Sequence, residues 1–172
     1  MTATKLQPRT TPANRSKLVS WQDPAELRAA SAGRSGRELL HAIIAGELPP
    51  PPMAALVGAE LLAVGDGEAL FACAPDESTY NPMGIVHGGL LCTLLDTAAG
   101  CAVHSTLPAG AGFSSIELKV SFLAPLHAGD RIEVRGSVLR IGGRVAFAEA
   151  HAQDTHGRLV GHATTTLAIH RP

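Results

Sequence analysis

The longest apolar segment of this 172-residue sequence contains one aspartate. Asp96 is the only charged residue of a predicted helix over 89–104, in which apolar side chains occur on every side. Such a helix is expected to be buried, and an unpaired buried carboxylate costs several kcal/mol unless something compensates. Asp96 is therefore a candidate general base or nucleophile, although a helical aspartate can also simply bond a backbone amide or an arginine at a helix edge.

The residues that open this helix supply a second chemical feature. His87, Gly88 and Gly89 precede the apolar run, where unpaired backbone N–H groups and the positive end of the helix dipole bind anions. Glycine allows a ligand oxygen to approach closely. A carboxylate together with an oxyanion site is the equipment of acyl transfer. His87 itself is open to two interpretations, a catalyst or a hydrogen-bonding spacer.

The spacing of these two features restricts how they can cooperate. Eight residues separate Gly88 from Asp96, which is about 12 Å along a helix. One reacting carbon atom cannot touch both groups of the same chain. If they act together, Asp96 of one subunit meets Gly88 of another across a two-fold interface, so the sequence predicts a homo-oligomer with shared sites.

The hydrophobic periodicity and the turn residues predict the elements that position these residues. They indicate an α+β fold with five or six antiparallel strands and one long helix between the second and third strand. Two short helices are expected before the sheet, followed by an extended connector at four consecutive prolines. We divide the chain into a disordered or processed tail (1–20), a helical lead-in with a proline-rich connector (21–52) and the main domain (53–172). The predicted helices cover 24–32 and 36–45, and the predicted strands cover 56–63, 69–74, a run beginning at 113, 131–141, 144–154 and 158–169.

The residues around the helix start form a motif that resembles a known family. The pattern N-x-x-G-x-x-H-G-G, from Asn81 to Gly89, with Asp96 nine residues after the histidine, is similar to hotdog-fold thioesterases of the phenylacetic-acid-degradation type. The resemblance runs from about Met53 to Ile169. It implies a sheet wrapped around a central helix, homodimers or homotetramers, and hydrolysis of acyl- or aryl-acyl-coenzyme A. It implies no metal and no cofactor, since coenzyme A is part of the substrate.

The same resemblance assigns roles to single residues. Asp96 would act as general base or nucleophile, and the Gly88 N–H would stabilise the oxyanion. Asn81 would place the water or the carbonyl, His87 would orient the loop or bond near the thioester oxygen, and Ser115 would provide a hydroxyl next to Asp96. Strand alternation disagrees on the last residue, because it puts Ser114 on the apolar face with Ile116 and Leu118, unless a bulge reverses the order.

Composition excludes several other functions. Positive and negative side chains balance at 14 and 15, so nucleic acid and anionic membranes are not expected partners. The start of the chain lacks a signal-peptide pattern, and no apolar run reaches membrane-spanning length. Three cysteines without a pairing pattern indicate a reducing cytoplasm. The histidines lack metal-ligand spacing, and no nucleotide-binding glycine loop is present.

Two arginines and two competing functions complete the sequence-based hypotheses. Arg140 and Arg144 flank the turn Gly142-Gly143 and could pair with the phosphates of coenzyme A, or could simply be solvated. A hotdog dehydratase or hydratase acting on hydroxyacyl or enoyl thioesters would also use a carboxylate and a histidine. A non-catalytic acyl-CoA-binding module is the other alternative, although such a module gains nothing from a buried carboxylate beside a thioester.

Overall fold

The computed structural model describes residues 14–171, which form four α-helices, one 3-10 turn and six strands. Most of the predicted tail therefore lies outside the described residues. Its described part contacts the domain, since Lys17 lies 2.7 Å from Asp76. In chain order the elements are α1 (Pro24–Ser31), α2 (Gly36–Ile44), α3 (Pro52–Val57), β1 (Ala59–Val64), β2 (Glu68–Cys73), the 3-10 turn Glu77–Thr79, α4 (Gly88–His104), β3 (Gly112–Phe122), β4 (Ile132–Ile141), β5 (Val145–Asp154) and β6 (Leu159–His170).

One antiparallel sheet holds all six strands in the order β1-β2-β4-β5-β6-β3, and α4 packs across one face of it. The inward residues of the central strands are small or aliphatic and fully buried, so the helix can lie close to the sheet. The core side chains include Leu94, Leu95, Ala98, Val134, Ala148, Ala150 and Leu167. The α+β architecture with a long central helix is as predicted, and it is the hotdog fold.

Gly136 of β4 sets the closest approach between the helix and the sheet. A Cβ atom at this position would lie 2.1 Å from the carbonyl oxygen of Ala98, well inside contact distance. Only a residue without a side chain fits between β4 and the backbone of α4. The middle of α4, where Asp96 lies, is thereby held at a fixed height above the sheet.

The proline-rich segment differs from the prediction. The run 56–63 was expected to be a strand and the four prolines an extended connector, but Pro52 begins the short helix α3 and β1 starts only at Ala59. Proline is favoured at the first position of a helix, because its missing N–H has no helical acceptor there. The left-handed Gly58, with φ 69°, ends α3 and turns the chain into β1.

The central helix also departs from the prediction in one respect. It begins at Gly88 rather than at Gly89, and it is not buried on every side. Asp96, Thr97 and Cys101 are only half-buried in the described chain. The sheet covers only one side of α4, so the opposite side is left to other elements or to a second subunit.

The lead-in segment packs against the end of α4. A capping box at Ser35 and Glu38 starts α2, and the amide of Gly36 donates to the carbonyl of Leu107 at 3.0 Å. Leu40 and Ala42 of α2 are buried. Helix α2 is thus folded onto the domain, whereas α1 has no buried residue. The sheet is left with two edges, β1 and β3.

Candidate functional site

The carboxylate of Asp96 is held by a hydroxyl group from β3. Ser115 Oγ donates a hydrogen bond of 2.8 Å to Asp96 Oδ1. Asp96 is half-buried and Ser115 is exposed, so solvent reaches this pair in the single chain. A carboxylate fixed by one hydrogen bond, with its other oxygen accessible, can accept a proton from a water molecule or attack a carbonyl carbon.

A β-bulge explains why Ser115 rather than Ser114 reaches Asp96. The register between β3 and β6 shifts between Ser115 and Glu117, so Ile116 is turned outward and is 62% exposed. The expectation that Ile116 shares the apolar face is therefore wrong. Ser114 instead forms a hydrogen bond of 2.8 Å with His170. Beyond the bulge, Leu118 and Val120 return to the core side, as alternation predicts for that part of the strand.

Asn81 shapes the loop that leads to α4. Its side-chain Oδ1 atom accepts a hydrogen bond of 2.8 Å from the backbone amide of Met83. The backbone amide of Asn81 donates to the carbonyl of Ile85 at 2.8 Å. Gly84, with φ 77°, takes the left-handed conformation that closes this turn. Because the side-chain carbonyl is used by the turn, the NH₂ group of Asn81 is the part that can donate to a ligand.

His87 is the N-cap of α4, and its cap fixes the tautomer of the ring. Nδ1 accepts a hydrogen bond of 2.8 Å from the amide of Gly89. A backbone amide can only donate, so Nδ1 carries no proton in this arrangement and the neutral ring is protonated on Nε2. The amide of His87 donates to the carbonyl of Thr79 at 2.8 Å, which anchors the cap to the preceding loop.

The amide of Gly88 is available for a ligand. Within residues 14–171 it has no hydrogen-bond acceptor, as expected at the start of a helix. The ring of Phe122 covers Gly88 so closely that a Cβ atom there would lie 2.9 Å from the ring. A cleft of about 490 Å³ opens beside it, lined by Asn81, His87 and Gly88 and by apolar side chains that include Phe122 and Leu123.

The predicted site residues therefore form two separate groups. Asn81, His87 and Gly88 meet at the start of α4, whereas Asp96 and Ser115 meet in its middle, about 12 Å further along the helix. Strand alternation gave no indication that Phe122 covers Gly88. The only hint in the sequence was the glycine itself, which leaves room for the ring.

The two arginines predicted to contact coenzyme A lie apart from both groups of site residues. Arg140 and Arg144 are exposed at the turn between β4 and β5, and in the described part of the chain neither forms an ion pair. The structure brings them to neither of the two groups of the same chain, and their role stays a prediction.

Thiol chemistry is disfavoured at Cys101, five residues after Asp96 on α4. Burial raises the pKa of the Cys101 thiol to about 12, and the negative charge of Asp96 also raises it. The thiol is therefore protonated at neutral pH and is not a nucleophile. Across 14–171 no three metal-ligating side chains converge, and no helix is both long and apolar enough to cross a membrane.

Comparisons with known proteins place this fold and motif in a family. Three quarters of the chain (75%) matches 98% of a phenylacetic acid degradation-related protein from Ralstonia eutropha JMP134, with a TM-score of 0.70 and 31% sequence identity. In the comparison with the Escherichia coli PaaI protein, 78% of this chain matches 94% of that protein. The TM-score is 0.68 and the identity 21%, which shows the fold. The family model described as Thioesterase superfamily matches residues 83–161. The chain belongs to the thioesterase superfamily and its structural neighbours are PaaI-like.

Curated relatives match over shorter stretches. Mouse acyl-coenzyme A thioesterase 13 is 29% identical over 92 residues, which are 53% of this chain and 65% of that protein. The medium/long-chain acyl-CoA thioesterase YigI of Escherichia coli K12 is 32% identical over 98 residues, 49% of this chain and 63% of that protein. The chain spans between 44% and 65% of the length of the first curated relatives that it matches.

Proposed function

We propose that this protein hydrolyses acyl-CoA or aryl-acyl-CoA thioesters to the free acid and coenzyme A. The observation that carries the proposal is the hydrogen bond between Ser115 and Asp96, in a chain of the thioesterase superfamily. Within residues 14–171 the Gly88 amide at the start of α4 has no acceptor and can bind a ligand oxygen. The names of two relatives, acyl-coenzyme A thioesterase 13 and medium/long-chain acyl-CoA thioesterase, support the same reaction.

Two routes for the carboxylate are compatible with this arrangement. As general base, Asp96 takes a proton from water while the water oxygen attacks the thioester carbon. The C–S bond then breaks, and the departing thiolate receives the proton. As nucleophile, Asp96 attacks the same carbon, the C–S bond breaks and coenzyme A leaves as thiolate, which gives a mixed anhydride. Water hydrolyses the anhydride in a second step, which releases the free acid and restores the Asp96 carboxylate, and the thiolate takes up the remaining proton. In both routes the Gly88 N–H stabilises the negative charge that develops on the carbonyl oxygen.

The loop residues support the oxyanion site in this proposal. The NH₂ group of Asn81 and the Nε2–H of His87 are donors in the cleft that contains Gly88. Either donor can hold the attacking water or the thioester oxygen. Arg140 and Arg144 remain our candidates for the phosphates of coenzyme A.

A site shared between subunits requires at least a homodimer, and the edge of β3 that the described residues leave unpaired offers a way to build it. Ser115 marks the Asp96 end of β3, and Phe122 marks the Gly88 end. If two copies pair their β3 strands antiparallel about a two-fold axis, opposite ends meet. Asp96 then faces the partner's Gly88, and the distance of about 12 Å within one chain no longer prevents cooperation.

Exposed apolar side chains near this edge are consistent with an interface. Ile116, Phe122 and Leu123 are 62%, 58% and 52% exposed in the single chain. A long unpaired edge strand with apolar neighbours normally pairs or is covered. We propose a homodimer through β3, either alone or as half of a homotetramer.

The test is release of free coenzyme A from a panel of aliphatic and aryl acyl-CoA thioesters, measured with a thiol reagent. We expect turnover by the native protein and a loss of at least about 100-fold in kcat/KM for Asp96→Asn, because the amide cannot accept the proton. Asp66→Asn, in the exposed turn between β1 and β2, is the matched control. An Asp96→Asn protein as active as the control would refute the proposed role of Asp96.

A further inference from the structure

An apolar cavity lies beneath the lead-in segment, beside the middle of α4. Its volume is about 290 Å³. The walls come from α2, the prolines before α3, α3 itself, β1, β2 and α4, and of the lining residues in the described chain only Glu60 is charged. Apolar lining residues include Leu40, Ile43, Ala54, Val57, Leu61 and Phe71.

We propose that this cavity holds the distal part of an unbranched aliphatic acyl chain, and that the protein therefore prefers medium- and long-chain acyl-CoA to short-chain and aryl-acyl-CoA. The inference rests on the proposed thioesterase function and adds the substrate class. It also gives the lead-in segment a role, since α2, α3 and the prolines build one side of the acyl site.

The position of the cavity relative to Asp96 supports this occupant. Thr97, the residue after Asp96, and Cys101, about one turn further, line the cavity. Successive helix residues point about 100° apart, so the cavity lies around the helix from the carboxylate, on the flank that faces α3. The negative charge of Asp96 also acts on Cys101, because it raises the pKa of the thiol in addition to the larger effect of burial.

The same geometry separates long acyl chains from short ones. An α-helix with side chains is about 10 Å wide, and an extended chain with C–C bonds of about 1.5 Å advances roughly 1.3 Å per carbon. A chain that starts at a thioester beside Asp96 therefore needs about eight carbons to cross the helix and enter the cavity. Phenylacetyl and butyryl groups end before they reach it.

The size and chemistry of the cavity match a hydrocarbon. An apolar cavity of about 150 Å³ is enough to bind benzene, and this one has about twice that volume. Filling such a space with core side chains would stabilise the fold, so a cavity that the side chains of residues 14–171 leave open next to the site indicates a ligand. The aliphatic walls offer little that could select a polar or hydroxylated aryl group.

The experiment measures kcat/KM for straight-chain acyl-CoA thioesters from four to sixteen carbons and for phenylacetyl-CoA. We expect little change up to about eight carbons, then a rise of up to about fourfold per added methylene until the cavity is full. Phenylacetyl-CoA should behave like the short chains. A native protein that favours phenylacetyl-CoA or butyryl-CoA over dodecanoyl-CoA would overturn the inference.

Ala54→Phe places a ring in the cavity from α3, and Ala54→Leu is a milder second variant in case the first does not fold. Each should reduce the ratio of kcat/KM for dodecanoyl-CoA to that for butyryl-CoA, at least tenfold for Phe. Ala29→Phe, the same change at an exposed position of α1, is the matched control and should leave the ratio unchanged. An unchanged ratio in both folded Ala54 variants would disprove the role of the cavity.

Failure of the proposed function is distinguishable from failure of this inference. If no thioester of any length is hydrolysed, the thioesterase proposal fails. The cavity is then tested by binding of free dodecanoate, measured by displacement of a fluorescent fatty acid. Binding that is weakened by Ala54→Phe but not by Ala29→Phe supports the aliphatic site, and absence of binding to the native protein overturns it.

Discussion

Ser115 Oγ donates to Asp96 Oδ1 at 2.8 Å, and the contact exists because β3 bulges directly after the serine. Without the bulge, strand alternation would direct Ser114 to the helix. The bulge thus selects which of two adjacent serines fixes the carboxylate. It lies in an edge strand, where a local change of twist disturbs only one neighbouring strand.

We expect Ser115→Ala to lower kcat/KM at least about tenfold, because a hydrogen bond to a charged group contributes roughly 1.5–3 kcal/mol and positions Asp96. Ser114→Ala removes the same hydroxyl one residue earlier and breaks only the contact with His170, so it should retain native activity. The measurement is thioester hydrolysis with both variants side by side. Equal effects of the two changes would show that the contact with Asp96 does not matter.

The two interpretations of His87 can be separated by two substitutions. His87→Ala removes the cap on the Gly89 amide and should cost about 1 kcal/mol of the free energy of unfolding. Asparagine is a good N-cap, so His87→Asn should keep most of that stability but lose the Nε2–H donor. We expect the Asn variant to be several-fold less active. Native activity in a stable Asn variant would identify His87 as a cap alone. Urea denaturation and thioester hydrolysis give the two readouts.

Sequence patterns predicted most of the architecture. The long apolar helix and the strands from β2 onward lie close to their predicted positions, because period and turn residues act locally. The patterns failed at 56–63, where α3 and β1 share one apolar run. Length and composition do not distinguish a short helix from a strand there, and tertiary packing decides.

The candidate site was predictable in its residues but not in its contacts. Asn81, His87 and Gly88 belong to one short segment of the chain, and local turn and cap geometry brings them together. The pairing of Ser115 with Asp96 depends on a one-residue bulge that alternation does not reveal. Phe122 over Gly88 and the cavity beside Thr97 arise from contacts between distant segments.

Gly136→Ala should strongly destabilise the protein. The added Cβ would lie 2.1 Å from the carbonyl oxygen of Ala98, and neither backbone can move without displacing α4 or β4. We expect a loss of about 3 kcal/mol in the free energy of unfolding. Gly143→Ala is the matched control, since a Cβ there meets nothing within 4 Å. Chemical denaturation with equal midpoints for the two variants would contradict the close contact between helix and sheet.

Stability should fall as the pH decreases below about 6.5, through His104. Burial lowers the pKa of His104 from its ordinary 6.5, where the ring packs near Phe113 and against Gly36 of α2. The unfolded chain then binds the proton more readily than the folded one, so protonation favours unfolding. Glu38, Asp76 and Asp154 also have lowered pKa values, but their ordinary values are 4.5, 3.8 and 3.8, so their effects begin at lower pH.

Between about pH 6.5 and 4.5, His104 is therefore the group with a shifted pKa whose titration should change the stability. Urea midpoints at pH 7.5 and 5.0 measure the effect. The native protein should lose stability between the two pH values, and His104→Gln should lose less of it, because glutamine does not titrate. An identical loss in both proteins would show that His104 is not responsible.

Mixing two inactive variants tests whether the site is shared between subunits. Asp96→Asn removes the carboxylate. Asn81→Asp keeps the side-chain oxygen that accepts from Met83 but removes the NH₂ donor. In a mixed dimer with shared sites, one site combines both defects and the other has none.

When equal amounts of the two variants are unfolded and refolded together, random pairing should make half of the dimers mixed. About a quarter of all sites would then be intact, so thioester hydrolysis should recover to roughly a quarter of the native rate. Each variant refolded alone is the control and should stay inactive. If Asp96 and Asn81 served the same site within one subunit, every site in the mixture would keep one defect and no activity would return.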